Sequence, residues 1–146
     1  MKIILDANEY ILGLDNESGK ESSIKLLDAI KLMIKGDKDF RLLIPEIIRK
    51  EVQRNIPEDL EGDFYELIYS GEQIEYHSMV DIPVKLFNKY RNEKELKEGD
   101  ALIAAFAEFI KVDYLISENR HIYKNLKIKE FATVNASEFL KILEEG

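Results

Sequence analysis

The sequence predicts an α/β fold in which a mostly parallel sheet lies between two layers of helices. Short apolar segments with strand character alternate with longer helical segments along the chain, a pattern typical of parallel sheets with helical crossovers. The 146 residues are 45% apolar, which is enough for one continuous core. We therefore expect a single domain over residues 1–146.

The elements of the first half are predicted from apolar periodicity and from helix-end signals. A strand from Lys2 to Leu5 is followed by a short helix from Tyr10 to Leu14. Ser18 and Glu21 have the spacing of a capping box, so a second helix is expected from there to Gly36. Three elements follow: a strand from Phe40 to Ile44, a helix from Glu46 to Arg54 that Pro45 opens, and a helix from Pro57 to Ser70.

The second half begins with a weaker strand pattern from Gln73 to Tyr76. Pro83 starts a helical stretch that is expected to become a charged loop between Lys89 and Lys97. The remaining elements are a helix from Glu98 to Ile110, strands from Val112 to Ser117 and from Phe131 to Val134, and a last helix with Asn135 and Glu138 as a capping pattern.

Composition narrows the classes of function. Cysteine is absent, which excludes disulfides, thiolate zinc sites and a cysteine nucleophile and fits a reducing cytoplasm. The sequence after Met1 has no secretory pattern, and its apolar runs are far shorter than the roughly 20 residues that cross a bilayer. We therefore expect a cytoplasmic protein with no membrane partner. The formal charge of 21 − 29 = −8 disfavours a general electrostatic coat for nucleic acid, but acidic clusters can recruit divalent cations that bind phosphates.

Three acids interrupt apolar patterns. Asp6 directly follows the first strand, at the sheet edge where open α/β folds bind ligands. Glu51 falls within the apolar stripe of Ile47 and Ile48, and Asp100 shares a helix face with small residues. Each acid also has an ordinary interpretation. Asp6 suits a helix cap, Glu51 suits the edge of the apolar stripe with its carboxylate in solvent, and Asp100 suits the first turn of a helix, where the helix dipole favours an acid. If the three converge, their hard oxygen ligands favour Mg²⁺ or Mn²⁺, and the expected chemistry is phosphodiester hydrolysis.

Four segments resemble, in order, the motifs of the PIN domain family. They are Ile4-Leu5-Asp6-Ala7-Asn8, the segment from Ile44 to Val52, the segment from Glu98 to Ala105, and the segment from Leu115 to His121. The resemblance implies a three-layer α/β/α sandwich with a five-stranded sheet, metal-dependent nuclease activity usually on RNA, and frequent homodimers. Many small members are VapC-type toxins that an antitoxin neutralises, so the resemblance also implies a cognate antitoxin partner.

The resemblance places Asp6, Glu51, Asp100 and Asn119 in the catalytic and metal-binding positions, with Mg²⁺ or Mn²⁺ as cofactor. Asn119 stands where the family usually has an acid, and its amide oxygen can ligate a metal but carries no charge. Three charges facing two divalent ions predict one firmly bound metal and a second that depends on substrate phosphate. Adjacent Glu118 is a poor substitute because neighbouring residues point in different directions. The alternative function is a catalytically weak PIN-like module that binds RNA or protein.

Two polar residues are expected to support this site. By the resemblance, Asn8 orients Asp6 by hydrogen bonding, and Ser117 could do the same for Asn119. Both also suit an ordinary helix start. Four cations lie near the motifs and could contact RNA phosphates, although solvated surface charge is the favoured interpretation: Arg49, Lys97, Arg120 and Lys124. We expect His121 to be a solvated loop residue rather than a general base.

Overall fold

The computed structural model describes residues 1–79, 81–119, 123 and 128–146, and within them the strands form one parallel sheet. The strands are β1 (Lys2–Leu5), β2 (Arg41–Pro45), β3 (Ile74–His77), β4 (Tyr114–Ile116) and β5 (Ala132–Val134). Their order across the sheet is β3-β2-β1-β4-β5, and every neighbouring pair is parallel. The mostly parallel, five-stranded sheet expected from the sequence is therefore confirmed, and all of its pairs are parallel.

Helices connect the strands. They are α1 (Ala7–Gly13), α2 (Glu21–Lys35), α3 (Glu46–Asn55), α4 (Glu61–Ile68), α5 (Val84–Asn88), α6 (Glu98–Ile110) and α7 (Ala136–Glu145). A 3₁₀ turn (Glu58–Leu60) leads into α4, and a π-helical turn (Lys89–Glu93) extends α5. Among the described residues, none of these helices has the length and apolar character needed to span a membrane.

The helices cover both faces of the sheet. Helix α1 contacts α2 and α3, α2 contacts α7, and α5 contacts α6. On β3, Tyr76 meets Arg49 of α3, whereas the next residue, His77, packs edge-on against Phe106 of α6 with ring centroids 5.2 Å apart. Successive side chains of a strand point to opposite faces, so α3 and α6 lie on opposite sides of β3. This arrangement confirms the three-layer sandwich.

The core is built around the central strand. Ile3, Ile4 and Leu5 of β1 are all 0% exposed, as expected for a parallel strand that is covered on both faces. Tyr10 of α1 packs edge-on against Phe64 of α4 with ring centroids 5.4 Å apart. This packing fixes α1, and with it the end of β1, where the candidate site begins.

One predicted helix start was wrong. Helix α2 begins at Glu21 after Lys20, which makes no side-chain capping bond, so Ser18 is not its cap. Instead, Ser18 lies in a turn where its N–H donates to Asp15 Oδ1 at 2.9 Å. The predicted end of α2 at Gly36 is confirmed.

Other boundaries moved for local reasons. Helix α1 begins at Ala7 rather than Tyr10, because the side chain of Asp6 caps it. The predicted charged loop is in part the π-helical turn Lys89–Glu93. Strand β4 is shorter than predicted, because the Val112 N–H bonds back to the Ala107 oxygen at the end of α6 at 3.0 Å.

Candidate functional site

The candidate site lies where the strand order reverses. From β1 the chain fills one side of the sheet with β2 and β3, and later the other side with β4 and β5. Asp6 follows β1, and its backbone N–H donates to the Ile116 oxygen of β4 at 2.9 Å. Asp6 therefore lies at the carboxyl ends of β1 and β4, the switch point at which open α/β sheets bind ligands.

Both carboxylate oxygens of Asp6 are held by hydrogen bonds. Oδ1 accepts from the Ala7 N–H at 2.8 Å, which makes Asp6 the N-cap of α1. Oδ2 accepts from Ser117 Oγ at 2.7 Å. The Ser117 hydroxyl is buried and itself accepts from the Asn119 backbone N–H at 3.0 Å. Ser117 thus ties the carboxylate at the end of β1 to the segment that follows β4.

The support expected from Asn8 is not formed. Asn8 lies exposed on α1, and the described hydrogen bonds to the Asp6 carboxylate come from Ala7 and Ser117. The orienting role expected of Asn8 therefore belongs to Ser117. The side chain of Asn119 is exposed, and Ser117 contacts its backbone rather than its amide group.

Glu51 reaches this site from α3. Helix α3 contacts α1 and α6, and the side chain of Ile47 lies against Gly99 at the start of α6. Burial raises the pKa of the Glu51 carboxyl, the negative charges of Asp6 and Asp100 raise it further, and Arg54 opposes them. The charges of Asp6 and Asp100 therefore reach the Glu51 carboxyl.

Asp100 reaches the site from the first turn of α6 and is partly exposed. Burial raises the pKa of its carboxyl, and the charge of Asp6 adds to this effect, while Lys97 and a hydrogen bond from Tyr123 oppose it. Three carboxylates from separate elements thus repel one another across one small region. A bound cation would relieve that repulsion.

Tyr123 is a site residue that the sequence interpretation missed. It is 3% exposed, and its hydroxyl lies 3.5 Å from the backbone oxygen of Asp100. Burial raises the pKa of the Tyr123 phenol, and the charges of Asp100, Asp6 and Glu51 raise it further. The phenol therefore stays neutral, and its O–H group lies beside Asp100. Its sequence neighbourhood is mainly polar, so apolar periodicity did not mark it as buried.

A separate pair of acids, Glu9 and Glu118, lies beside the site. Glu9 of α1 is 0% exposed, and Ser23 Oγ donates to its Oε1 at 2.7 Å. Burial raises the pKa of the Glu9 carboxyl to about 8, and Glu118 contributes by hydrogen bonding and charge. Glu9 Oε2 meets no donor among the described residues, which is consistent with a protonated carboxyl that donates to Glu118.

Glu118 is the ionised member of that pair. It accepts from Lys20 Nζ at 2.5 Å and from the Ala136 N–H at the start of α7 at 3.0 Å. Burial alone would raise its pKa, but hydrogen bonds from Glu9, Lys20 and the Ala136 N–H lower it to about 2. These contacts hold Glu118 toward Lys20 and the start of α7.

The donor set suits a hard divalent cation. Carboxylate oxygens of Asp6, Glu51 and Asp100 with the amide oxygen of Asn119 are the ligand type that Mg²⁺ and Mn²⁺ prefer. Among the described residues, no three His, Asp or Glu side chains are gathered closely enough to hold a metal ion as they stand. The charges of the acids therefore affect one another, although their carboxylates lie farther apart than the ligands of one metal ion would.

The structure describes two of the four cationic residues that the sequence suggested as phosphate contacts. Arg49 is half-buried, and Lys97 is exposed at the N-cap of α6. Arg120 and Lys124 lie outside the described residues, as does His121.

The fold has a counterpart among solved structures. It matches a chain in the crystal structure of VapBC2 from Rickettsia felis bound to a DNA fragment from their promoter, with a TM-score of 0.66. The two chains are 18% identical, and the match covers 92% of this chain and 98% of the other. No protein-family model and no curated protein matches the chain. The likeness therefore establishes the fold, and that fold is the one expected from the four PIN-like motifs.

Proposed function

We propose that this chain is a metal-dependent endoribonuclease that hydrolyses RNA phosphodiester bonds. The observation that carries the proposal is that Asp6 at the end of β1 lies near enough to Glu51 of α3 and Asp100 of α6 for its charge to raise the pKa of both carboxyls. The switch point of the sheet is where such a site is expected, and the resemblance of four segments to PIN domain motifs gives independent support.

Asp6, Glu51, Asp100 and Asn119 would hold Mg²⁺ or Mn²⁺, which when bound supplies an acidified water and neutralises charge on the leaving oxygen. The chain's own contribution is orientation. The Ala7 N–H and the Ser117 hydroxyl each donate to one oxygen of Asp6, which keeps that carboxylate in a fixed plane.

Tyr123 has a supporting role near Asp100. Its buried hydroxyl lies 3.5 Å from the Asp100 backbone oxygen, and the charges of all three acids raise its pKa. Because burial and these charges raise the phenol's pKa, Tyr123 stays neutral and remains a donor at physiological pH. It therefore offsets part of the acids' repulsion without adding charge to the site.

RNA cleavage by the purified chain tests the proposal. A mixed structured RNA is incubated with EDTA, Mg²⁺ or Mn²⁺, and Asp6→Asn is purified identically to exclude a contaminating ribonuclease. Asp28→Asn, which removes an exposed acid from α2, is the matched control. We expect metal-dependent cutting by the parent chain and by Asp28→Asn but not by Asp6→Asn. Cutting that persists in EDTA or in Asp6→Asn would contradict the proposal, as would no cutting by the parent chain.

We propose further that the nuclease is the toxin of a toxin–antitoxin pair, with a cognate antitoxin protein as partner. The motifs resemble those of PIN domains, many small members of which are VapC-type toxins, and the similar solved structure is that of VapBC2. Expression of the chain alone should arrest growth, and Asp100→Asn should relieve the arrest. Normal growth at high expression of the parent chain would contradict the toxin role. A homodimer, as the resemblance implies, would appear at twice the chain mass of 17.0 kDa in light scattering.

A second candidate function is a catalytically weak module that binds RNA or protein. The observation that favours it is that position 119 carries a neutral amide while Glu118 is held by Lys20 and α7. RNA binding by such a module should survive Asp6→Asn or become tighter, because a negative charge is removed near the phosphates. The nuclease predicts instead that Asp6→Asn abolishes cutting.

A further inference from the structure

A pocket of about 250 Å³ opens beside the edge strand β3. It combines an apolar floor, two tyrosines and a cation, and is lined by Ile44, Arg49, Ile68, Tyr69, Ile74 and Tyr76. The three isoleucines come from β2, α4 and β3, so rigid elements form the floor. None of the pocket residues belongs to the acid site described above.

The two tyrosine rings of this pocket face solvent. Tyr69 is 80% exposed and Tyr76 is 48% exposed. Tyr69 is also held in place, since its ring stacks on Tyr65 with centroids 6.4 Å apart and planes inclined by 12°. Tyr65 in turn hydrogen-bonds Gln53 of α3. Single exposed aromatic side chains are common, but two of them at one concave apolar site indicate a surface that binds a ligand.

Arg49 of α3 supplies a positive charge beside these rings, and it has no ion-pair partner in the described part of the chain. Its guanidinium lies over the Tyr76 ring, 4.7 Å from the centroid. Nε is buried and meets no acceptor, and Arg49 forms no ion pair with any acid of the described residues. The solvated surface charge favoured from the sequence is therefore not what the structure shows. A half-buried cation without a counter-charge favours an anionic ligand.

The pocket and the acids lie on two sides of the same helix. Arg49 and Glu51 are two residues apart on α3, so their side chains point in nearly opposite directions around its axis. Arg49 faces Tyr76, so Glu51 lies on the side of α3 that is turned away from the pocket. RNA that joins the two sides must pass around a helix roughly 10–12 Å across, a path of about 17 Å that about five stacked nucleotides cover.

We propose that this pocket binds an unpaired base of single-stranded RNA, with Arg49 at the adjacent phosphate, a few nucleotides from the bond that the acid site cuts. The inference rests on the proposed nuclease function and specifies its substrate class. Aromatic rings stack on any base, and guanidinium groups both stack and bind phosphate. Bases inside an A-form duplex are not accessible for such stacking, so the pocket selects unpaired RNA.

RNA binding in the Asp6→Asn background tests the pocket, because that background removes cleavage from the measurement. The probe is a fluorescein-labelled unstructured RNA oligonucleotide, and affinity is read by fluorescence anisotropy. Tyr69→Ala and Tyr76→Ala should each weaken binding roughly 5- to 150-fold, the loss expected for one stacked base. Tyr76→Phe should bind like the parent, since it retains the ring. Arg49→Gln should lower the salt dependence of binding by about one phosphate contact.

Phe109→Ala is the matched control, because it truncates a 40% exposed aromatic residue on α6, away from the pocket. Equal affinities of Tyr69→Ala, Tyr76→Ala and Phe109→Ala would overturn the proposal, and so would equal losses on duplex RNA. Tyr variants that keep RNA affinity but lose a protein partner would overturn it as well. Tyr69→Ala removes a ring that is 80% exposed, so its fold is expected to survive, which circular dichroism checks.

The pocket and the nuclease function can fail separately. Metal-dependent cutting by the parent chain, together with binding that does not depend on Tyr69 or Tyr76, would overturn only the pocket. Binding that depends on both tyrosines, without cutting under any metal condition, would overturn the nuclease and support the pocket as an RNA-binding surface.

Discussion

Replacing the buried Glu9 by glutamine tests whether the Glu9 carboxyl is protonated in the folded chain. A glutamine side chain has nearly the same shape as a protonated glutamic acid. At this position it can accept from Ser23 Oγ through its amide oxygen and donate to Glu118 through its amide N–H. The substitution thus removes one titration while leaving the hydrogen bonds in place. Stability near pH 5 should therefore change little.

The sign of the pH effect follows from the raised pKa of Glu9. Its ordinary value is 4.5, and burial raises it to about 8 in the folded chain, so the folded chain holds a proton that the unfolded chain releases. The stability from this group is complete below about pH 4.5 and is lost as the pH rises toward 8. The slope approaches about 1.4 kcal/mol per pH unit, so on the order of 2–3 kcal/mol is lost between pH 5 and pH 7.

Urea unfolding followed by circular dichroism at pH 5, 6, 7 and 8 measures this effect. We expect Glu9→Gln to match the parent chain at pH 5 and to exceed its free energy of unfolding by on the order of 2–3 kcal/mol at pH 7. Glu61→Gln, which neutralises an exposed acid at the start of α4, should run parallel to the parent. Parallel curves for Glu9→Gln and the parent would refute the protonated, buried Glu9.

Three further substitutions probe the site and its frame. Ser117→Ala removes the 2.7 Å hydrogen bond to Asp6 and should lower the rate of RNA cleavage roughly tenfold, while the requirement for metal stays unchanged. Ser117→Thr retains a hydroxyl and should restore the rate. An unaffected rate for Ser117→Ala would contradict the orienting role. Asn119→Asp adds a negative charge and should raise Mn²⁺ affinity in calorimetry. Unchanged affinity would place this residue outside the metal site. Asn135→Ala breaks the capping box with Glu138 and should cost about 1 kcal/mol in urea unfolding, and no loss would contradict the capping role.

Local rules predicted much of the fold because the strands and helix ends carry strong signals. Three of the four residues of the central strand β1 are consecutive, buried and apolar, and the Asn135 cap follows a spacing that the structure reproduces. Ser18 has the same spacing to Glu21, yet Asp15 accepts from its N–H and makes a turn there. The sequence spacing alone could not distinguish a cap from a turn, because both satisfy backbone N–H groups with an acidic or hydroxyl side chain.

The candidate site was predictable in part because strand ends and helix faces bring distant residues together. The position of Asp6 followed from its place after β1, whereas the support of Ser117 for Asp6 required the β1–β4 pairing. The burial of Glu9 was not predicted, because an acid on a short helix is usually solvated. The close approach of α1 to α2 explains its burial, since at Gly13 an added Cβ would lie 2.7 Å from Leu27. Glycine four residues after an acid was the available signal for that close packing.

The claim that the three acids form one cation site is tested most directly by titrating the RNA-free chain with Mn²⁺ in a calorimeter. We predict one Mn²⁺ bound per chain, its loss in Asp6→Asn, and its retention in Asp28→Asn, because three carboxylates and one amide neutralise one divalent ion but not two. Binding that survives Asp6→Asn, two tightly bound ions without RNA, or no Mn²⁺ binding by the parent chain would contradict it.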